Sequence, residues 1–104
     1  MGRKAPYKIE ITREADAHLA GLTATERNSV LDSLERQLAF EPTKETRNRK
    51  RMRPNPVAPW ELRLGDLRVY FDVEDKPRRV VKIQAVGVKD RNRVRIGREE
   101  VELK

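Results

Sequence analysis

At 104 residues the chain has length for one domain with a single core. Apolar residues make up 37% and charged residues 39%, so that core is expected to be thin, one sheet face covered by one layer of helices. Lys and Arg number 24 against 17 Asp and Glu, a net charge of +7 that fits nucleic acid or an acidic protein partner, and the lack of cysteine excludes disulfides, thiolate metal sites and a cysteine nucleophile.

The opening residues, MGRKAPYKIE, lack the apolar core of a signal peptide, and no apolar run approaches the roughly 20 residues of a membrane span. A soluble, cytoplasmic protein without a membrane partner is expected. Tyr7, Ile9 and Ile11 alternate with Lys8, Glu10 and Thr12, the pattern of a first short strand. Thr12 then caps a short helix reaching about Gly21, with Ala15, Leu19 and Leu22 on one face. Thr23-Ala24-Thr25-Glu26 fits a capping box, and Val30, Leu31, Leu34, Leu38 and Phe40 recur at helical spacing until Pro42 forbids continuation. The two helices form a hairpin whose apolar stripes need a sheet to cover.

From Thr43 to Pro59 the periodicity stops, and the segment reads as a basic loop carrying Lys44, Arg47, Arg49, Lys50, Arg51 and Arg53. Next comes WELRLGDLRVYFDV, in which Trp60, Leu62 and Leu64, then Leu67, Val69, Phe71 and Val73, alternate with polar residues. Gly65-Asp66 reads as a two-residue II′ turn, which pairs Leu64 with Leu67, Arg63 with Arg68 and Glu61 with Tyr70. After a turn at Asp75-Lys76-Pro77, a strand runs from about Arg79 to Val88, with Val81, Ile83 and Ala85 on its buried face and Val80 and Val86 making the other face apolar enough for a central strand. Val94 and Ile96 alternate in the polar tail, with a possible last strand at Val101 and Leu103. The order β-α-α-β-β-β with a short C-terminal tail defines one α+β domain, 1–104, an antiparallel meander backed by a helical hairpin.

Several chemistries find no support. His18 is the single histidine, at the edge of the first helix's apolar face, with no second ligand at zinc spacing. Asp66, Asp72, Asp75 and Asp90 do not cluster in sequence, which disfavours a two-metal nuclease, and no metal is expected. The glycines stand singly, without a phosphate loop. What remains is basic and aromatic. Arg63 faces Arg68 on the outward side of the hairpin, an unfavourable pairing that an anion shared by both guanidinium groups would relieve. Splaying into water or leaning on Glu61 and Asp72 would relieve it too. Tyr70 lies beside them, either to stack on a base or as a cross-strand packing partner of Glu61. Lys89 follows at the end of the next strand, near Arg68, and the loop residues Arg47, Arg49, Lys50, Arg51 and Arg53 feed into the hairpin. These segments converge on a basic face suited to single-stranded RNA, or are a solvated charge run.

The order of elements, with W-E-L-R-x-G-D-x-R-V followed by A-V-G-x-K, resembles the RelE/ParE superfamily of toxins from bacterial type II toxin-antitoxin systems over nearly the whole chain. In the RelE-like branch the resemblance implies a RelE-like fold and a metal-independent endoribonuclease that needs no cofactor. Such an enzyme cleaves messenger RNA on the ribosome, inhibits translation, and is held by a cognate acidic antitoxin. Arg63, Arg68 and Lys89 match basic sheet positions of that branch. Arg95 stands where a C-terminal tyrosine is commonly found, and Glu61 where a basic residue is frequent. Arginine stays charged and can only stabilise a phosphate, so Lys89 or Glu61 would take the proton. The resemblance also allows a ParE-like toxin that binds DNA gyrase without cleaving RNA, and the charge alone would serve a non-toxic nucleic-acid-binding module.

Overall fold

The structure, a computed structural model, describes residues 6–97 and 99–101. Its elements are β1 (Lys8–Ile11), α1 (Arg13–Ala20), α2 (Ala24–Leu38), β2 (Arg49–Arg51), β3 (Trp60–Leu64), β4 (Leu67–Glu74), β5 (Val80–Asp90), β6 (Arg93–Ile96) and β7 (Glu99–Val101). β2 to β7 lie side by side in chain order, and β1 pairs with β5 in parallel, making one mixed sheet with the helices on one face. β7 takes up the expected strand at Val101, whereas Leu103 lies outside the described residues. Among the described residues no helix is long and apolar enough to cross a membrane.

Both helices start where their caps demand. The Thr12 hydroxyl accepts the Ala15 N–H and donates to the Ile83 carbonyl at 2.9 Å, so one side chain begins α1 and ties it to β5. At α2 the capping box is complete: Thr23 Oγ1 accepts the Glu26 N–H at 3.1 Å, and Glu26 Oε1 accepts the Thr23 N–H at 3.0 Å. Replacing Thr23 by alanine is expected to cost about 1 kcal/mol, read from urea unfolding, because the Glu26 N–H loses its side-chain acceptor. Val30, Leu34 and Leu38 face the sheet, but Leu31 and Phe40 do not. Leu31 lies about 100° round the helix from Val30, and Phe40 falls beyond the Ala39 C-cap, where it is 62% exposed.

Beneath the helices Trp60 stacks on Phe71 with ring centroids 6.1 Å apart, among Leu62, Val69, Val81 and Ile83. β5 is the central strand. Along one side it meets β4; along the other, β1 covers Val80–Ile83 and β6 covers Gly87–Asp90. The strand's phase changes midway. Phe71 pairs with Ile83 but Tyr70 with Ala85, leaving Gln84 as an extra residue in a β-bulge. Val86 therefore joins Val81 and Ile83 under the helices, while Ala85 crosses to the other face, the reverse of what strict alternation predicts. Past the bulge, Gly87 lies where a Cβ would come within 2.7 Å of Val94 Cγ1 and 2.8 Å of the Arg95 carbonyl oxygen. Gly87→Ala should thus push β6 off β5 and lower thermal stability by roughly 1–3 kcal/mol.

The gap between β1 and β6 leaves the Val86 N–H without a strand partner, and His18 Nδ1 accepts it at 3.3 Å. That bond needs the neutral ring, and burial lowers the His18 pKa from its ordinary 6.5 against the opposing charge of Glu14. The unfolded chain then takes up the proton at a higher pH than the folded one. Stability is complete above pH 6.5 and declines as pH falls below it, until the folded form also titrates. Urea midpoints followed from pH 8 to 5 should show this fall in the native chain and lose it in His18→Gln.

The outer face of the sheet is not bare. The segment 43–59 is more than a loop: its middle forms β2 on the edge of β3, and the rest straps back over the sheet. Asn55 Oδ1 accepts the amides of Val57 and Ala58 at 2.8 and 3.1 Å, and this turn sets Met52, Val57 and Ala58 against Tyr70, Ala85, Val94 and Ile96 in a second small core.

Candidate nucleic-acid interface

The hairpin register is the one its turn demands. Gly65 has φ +61° and Asp66 does not share it, as a II′ turn requires, and Arg63 pairs with Arg68, Glu61 with Tyr70. Arg68 pairs on its other side with Gly87 of β5, and alternation puts Lys89 on the same outer face two residues on. The Asp66 carbonyl accepts the Lys89 N–H at 2.7 Å, which fixes the turn to the end of β5. Arg63, Arg68 and Lys89 thus occupy one face of three adjacent strands.

The two arginines are anchored differently. Arg63, with its side chain 46% exposed, donates from Nε to Glu61 Oε1 at 2.8 Å. Arg68 is 7% exposed and folds over the turn, donating from Nη1 to the carbonyls of Gly65 and Leu67 at 2.6 and 2.9 Å. Among the described residues no acceptor meets its Nε or Nη2. Lys89 is exposed at the rim. Glu61 is itself buried, and its second oxygen accepts the Tyr70 hydroxyl at 3.0 Å.

The other expected site residues separate. Lys50 pairs with Glu61, so it shares the outer face and is exposed. Arg51 pairs with Trp60 and lies on the helix side, its guanidinium 5.8 Å from the Trp60 ring centroid. Arg49 corrects the expectation of an RNA-binding residue: it is buried beneath α2, where Nη1 donates to the carbonyls of Glu41 and Lys44 and Nη2 to that of Gln37. Arg47 and Arg53 are exposed on either side of β2. Tyr70 is a second correction. It is fully buried under the strap and has no face on which a base could stack. Burial, then the neighbouring Glu61 charge, raise its pKa far above the ordinary 10, so it remains a proton donor.

Arg95 is a third correction, one of place. β6 turns Val94 and Ile96 outward, so Arg95 points to the helix side, lining a cleft of about 490 Å³ with Ala17, His18, Leu22, Val88 and Gly97. It stands across the sheet from Arg63 and Arg68. Sequence reasoning missed the covering strap, whose signal was the apolar trio Met52, Val57 and Ala58 within a basic, proline-rich run. Among the described residues no three His, Cys, Asp or Glu side chains group to hold a metal ion.

The arrangement of a parallel-paired N-terminal strand, a helical hairpin and an antiparallel meander is the RelE-like α+β fold. A chain of the RelBE2 toxin-antitoxin complex from Mycobacterium tuberculosis has this fold, with a TM-score of 0.70 and 22% sequence identity over 86% of the present chain and 98% of its own. No family model and no curated protein matches the sequence.

Proposed function

We propose that the chain is the toxin of a toxin-antitoxin pair, an endoribonuclease that grips the backbone of ribosome-bound messenger RNA in the cytoplasm and so stops translation. The observation that carries this is the set Arg63, Arg68 and Lys89 on one outer face, with both guanidinium groups held in place before any ligand arrives. Membership of a toxin-antitoxin complex by a protein of the same fold supports the toxin role, and the net charge of +7 supports an acidic antitoxin as partner.

Attack of the ribose 2′-hydroxyl on the adjacent phosphate forms a 2′,3′-cyclic phosphate and breaks the bond to the 5′ oxygen, which leaves with a proton from solvent; between the two, the phosphoryl oxygens carry two negative charges. Arg63 and Arg68 stabilise that charge from two sides of the turn. Arginine does not release its proton, and both Glu61 oxygens are already engaged, which leaves Lys89 as the residue at this face suited to exchange a proton with the ribose. Lys50, Arg47 and Arg53 extend the positive surface along the strand of RNA.

Purified protein added to ribosomes stalled on a defined message tests the proposal. The expected result is a cut message with a new 5′ end in the decoding site. Lys89→Met should slow cutting of fully bound message by about 10²-fold. An uncut message, with gyrase captured and DNA damage induced instead, would transfer the chain to the ParE-like activity.

A further inference from the structure

We infer that Tyr70 and Glu61 are positioning residues: the buried Tyr70 hydroxyl holds the Glu61 carboxylate, and that carboxylate fixes the Arg63 guanidinium by its Nε, leaving Nη1 and Nη2 for a phosphate. The assignment rests on the RNA-binding role proposed above. It starts from a conflict in the hairpin. Arg63 and Arg68 are directly cross-strand, and two like charges at that spacing repel. Arg68 is tied down by the turn carbonyls of Gly65 and Leu67, but Arg63 is half exposed and among the described residues meets no such backbone acceptor.

Glu61, two residues earlier on the same strand face, supplies the counter-charge at 2.8 Å. A surface ion pair of this kind is ordinarily loose, because two long side chains must be held in one geometry. Here one partner is not on the surface. Glu61 is 7% exposed, and its other oxygen is occupied by the phenol of Tyr70, whose ring is walled in by Ala58, Ala85 and Val94. The small Ala85, opposite Tyr70 on β5, gives the ring room.

A buried carboxylate requires donors on both oxygens. A phenol satisfies one without bringing a positive charge, so Glu61 keeps its full charge for Arg63. The raised Tyr70 pKa keeps the hydroxyl a donor throughout the cellular pH range. Engagement through Nε orders the guanidinium plane before RNA arrives and leaves its far edge open for two parallel bonds to phosphate oxygens.

A binding cycle on the full chain tests this, using fluorescence anisotropy with a short single-stranded RNA. Tyr70→Phe should weaken binding by about 5- to 10-fold, with the slope of log Kd against log salt unchanged because no charge is lost. Arg63→Ala should weaken binding and reduce that slope by about 1. Adding Tyr70→Phe to Arg63→Ala should then change nothing further, since the hydroxyl acts only through Arg63. Wild-type binding by Tyr70→Phe, or full additivity of the two changes, would overturn the assignment with the RNA-binding role intact; wild-type binding by Arg63→Ala would overturn both. Should Tyr70→Phe fail to fold, NMR of the unmodified chain decides. An Arg63 Nε–H that exchanges slowly beside a fast-exchanging Arg47 supports the assignment, and equal fast exchange contradicts it.

Discussion

Removing both arginines of the hairpin, Arg63→Ala with Arg68→Ala, is expected to lower the rate of message cleavage by about 10³-fold and abolish toxicity on expression. The size follows from their place. Each offers guanidinium donors to the phosphate and to the second negative charge it gains in the transition state, and neither needs to move to meet it, because Glu61 and the turn carbonyls already hold them. The singles should differ. Arg63→Ala leaves Oε1 of the buried Glu61 carboxylate without its charged donor and should cost about 1–3 kcal/mol. Arg68→Ala strips the Gly65 and Leu67 carbonyls of their shared donor and should cost about 1 kcal/mol as well as activity. Single-turnover cleavage with parallel melting curves separates the two effects. The salt dependence of RNA binding should fall by about two phosphate contacts in the double variant.

The largest loss of stability is expected at Arg49, and without loss of RNA affinity. Its guanidinium spans from β2 to the end of α2 and donates to the carbonyls of Gln37, Glu41 and Lys44, the first of these among the last four of the helix, which lack partners within it. A cation there also meets the negative end of the helix dipole. Arg49→Met keeps the stem but leaves three carbonyls without their charged donor, a cost of about 2–4 kcal/mol. For a domain of this size that lowers the melting temperature on the order of 10–20 °C. Lys50→Ala, one residue away on the opposite face, should do the reverse: unchanged melting, weaker RNA binding. Calorimetry and anisotropy on the two variants check the pair.

Most of the architecture was legible because local chemistry dictated it. Thr12 and Thr23 announced their helices, and Gly65-Asp66 set a register that placed Arg63 against Arg68. Three things escaped, each decided by distant contacts. The bulge at Gln84 depends on how β5 meets β4, and period-2 counting runs straight through it. Tyr70 looked outward because its strand alternates, yet the strap carrying Val57 and Ala58 folds over that face and buries it. Arg49 and Lys50 read alike in a run of cations, but pairing of β2 with β3 sends them to opposite faces. At the site, Arg63 against Arg68 was visible from turn geometry, and strand length put Lys89 at their end of the sheet, but Lys89 shares their face only because the bulge at Gln84 reverses the phase of β5. Arg95 was not, since its face is fixed by the register of β6 on β5.

The central claim is that the outer face of β3, β4 and β5 holds a phosphate of the message while it is cut. Primer extension on a ribosome-bound message, after incubation with wild-type protein and with the Arg63→Ala, Arg68→Ala double variant, tests it most directly. The account predicts a discrete cut in the decoding site with the wild type and a cut slowed about 10³-fold with the folded variant. Equal cutting by both proteins, or none by the wild type, would contradict it.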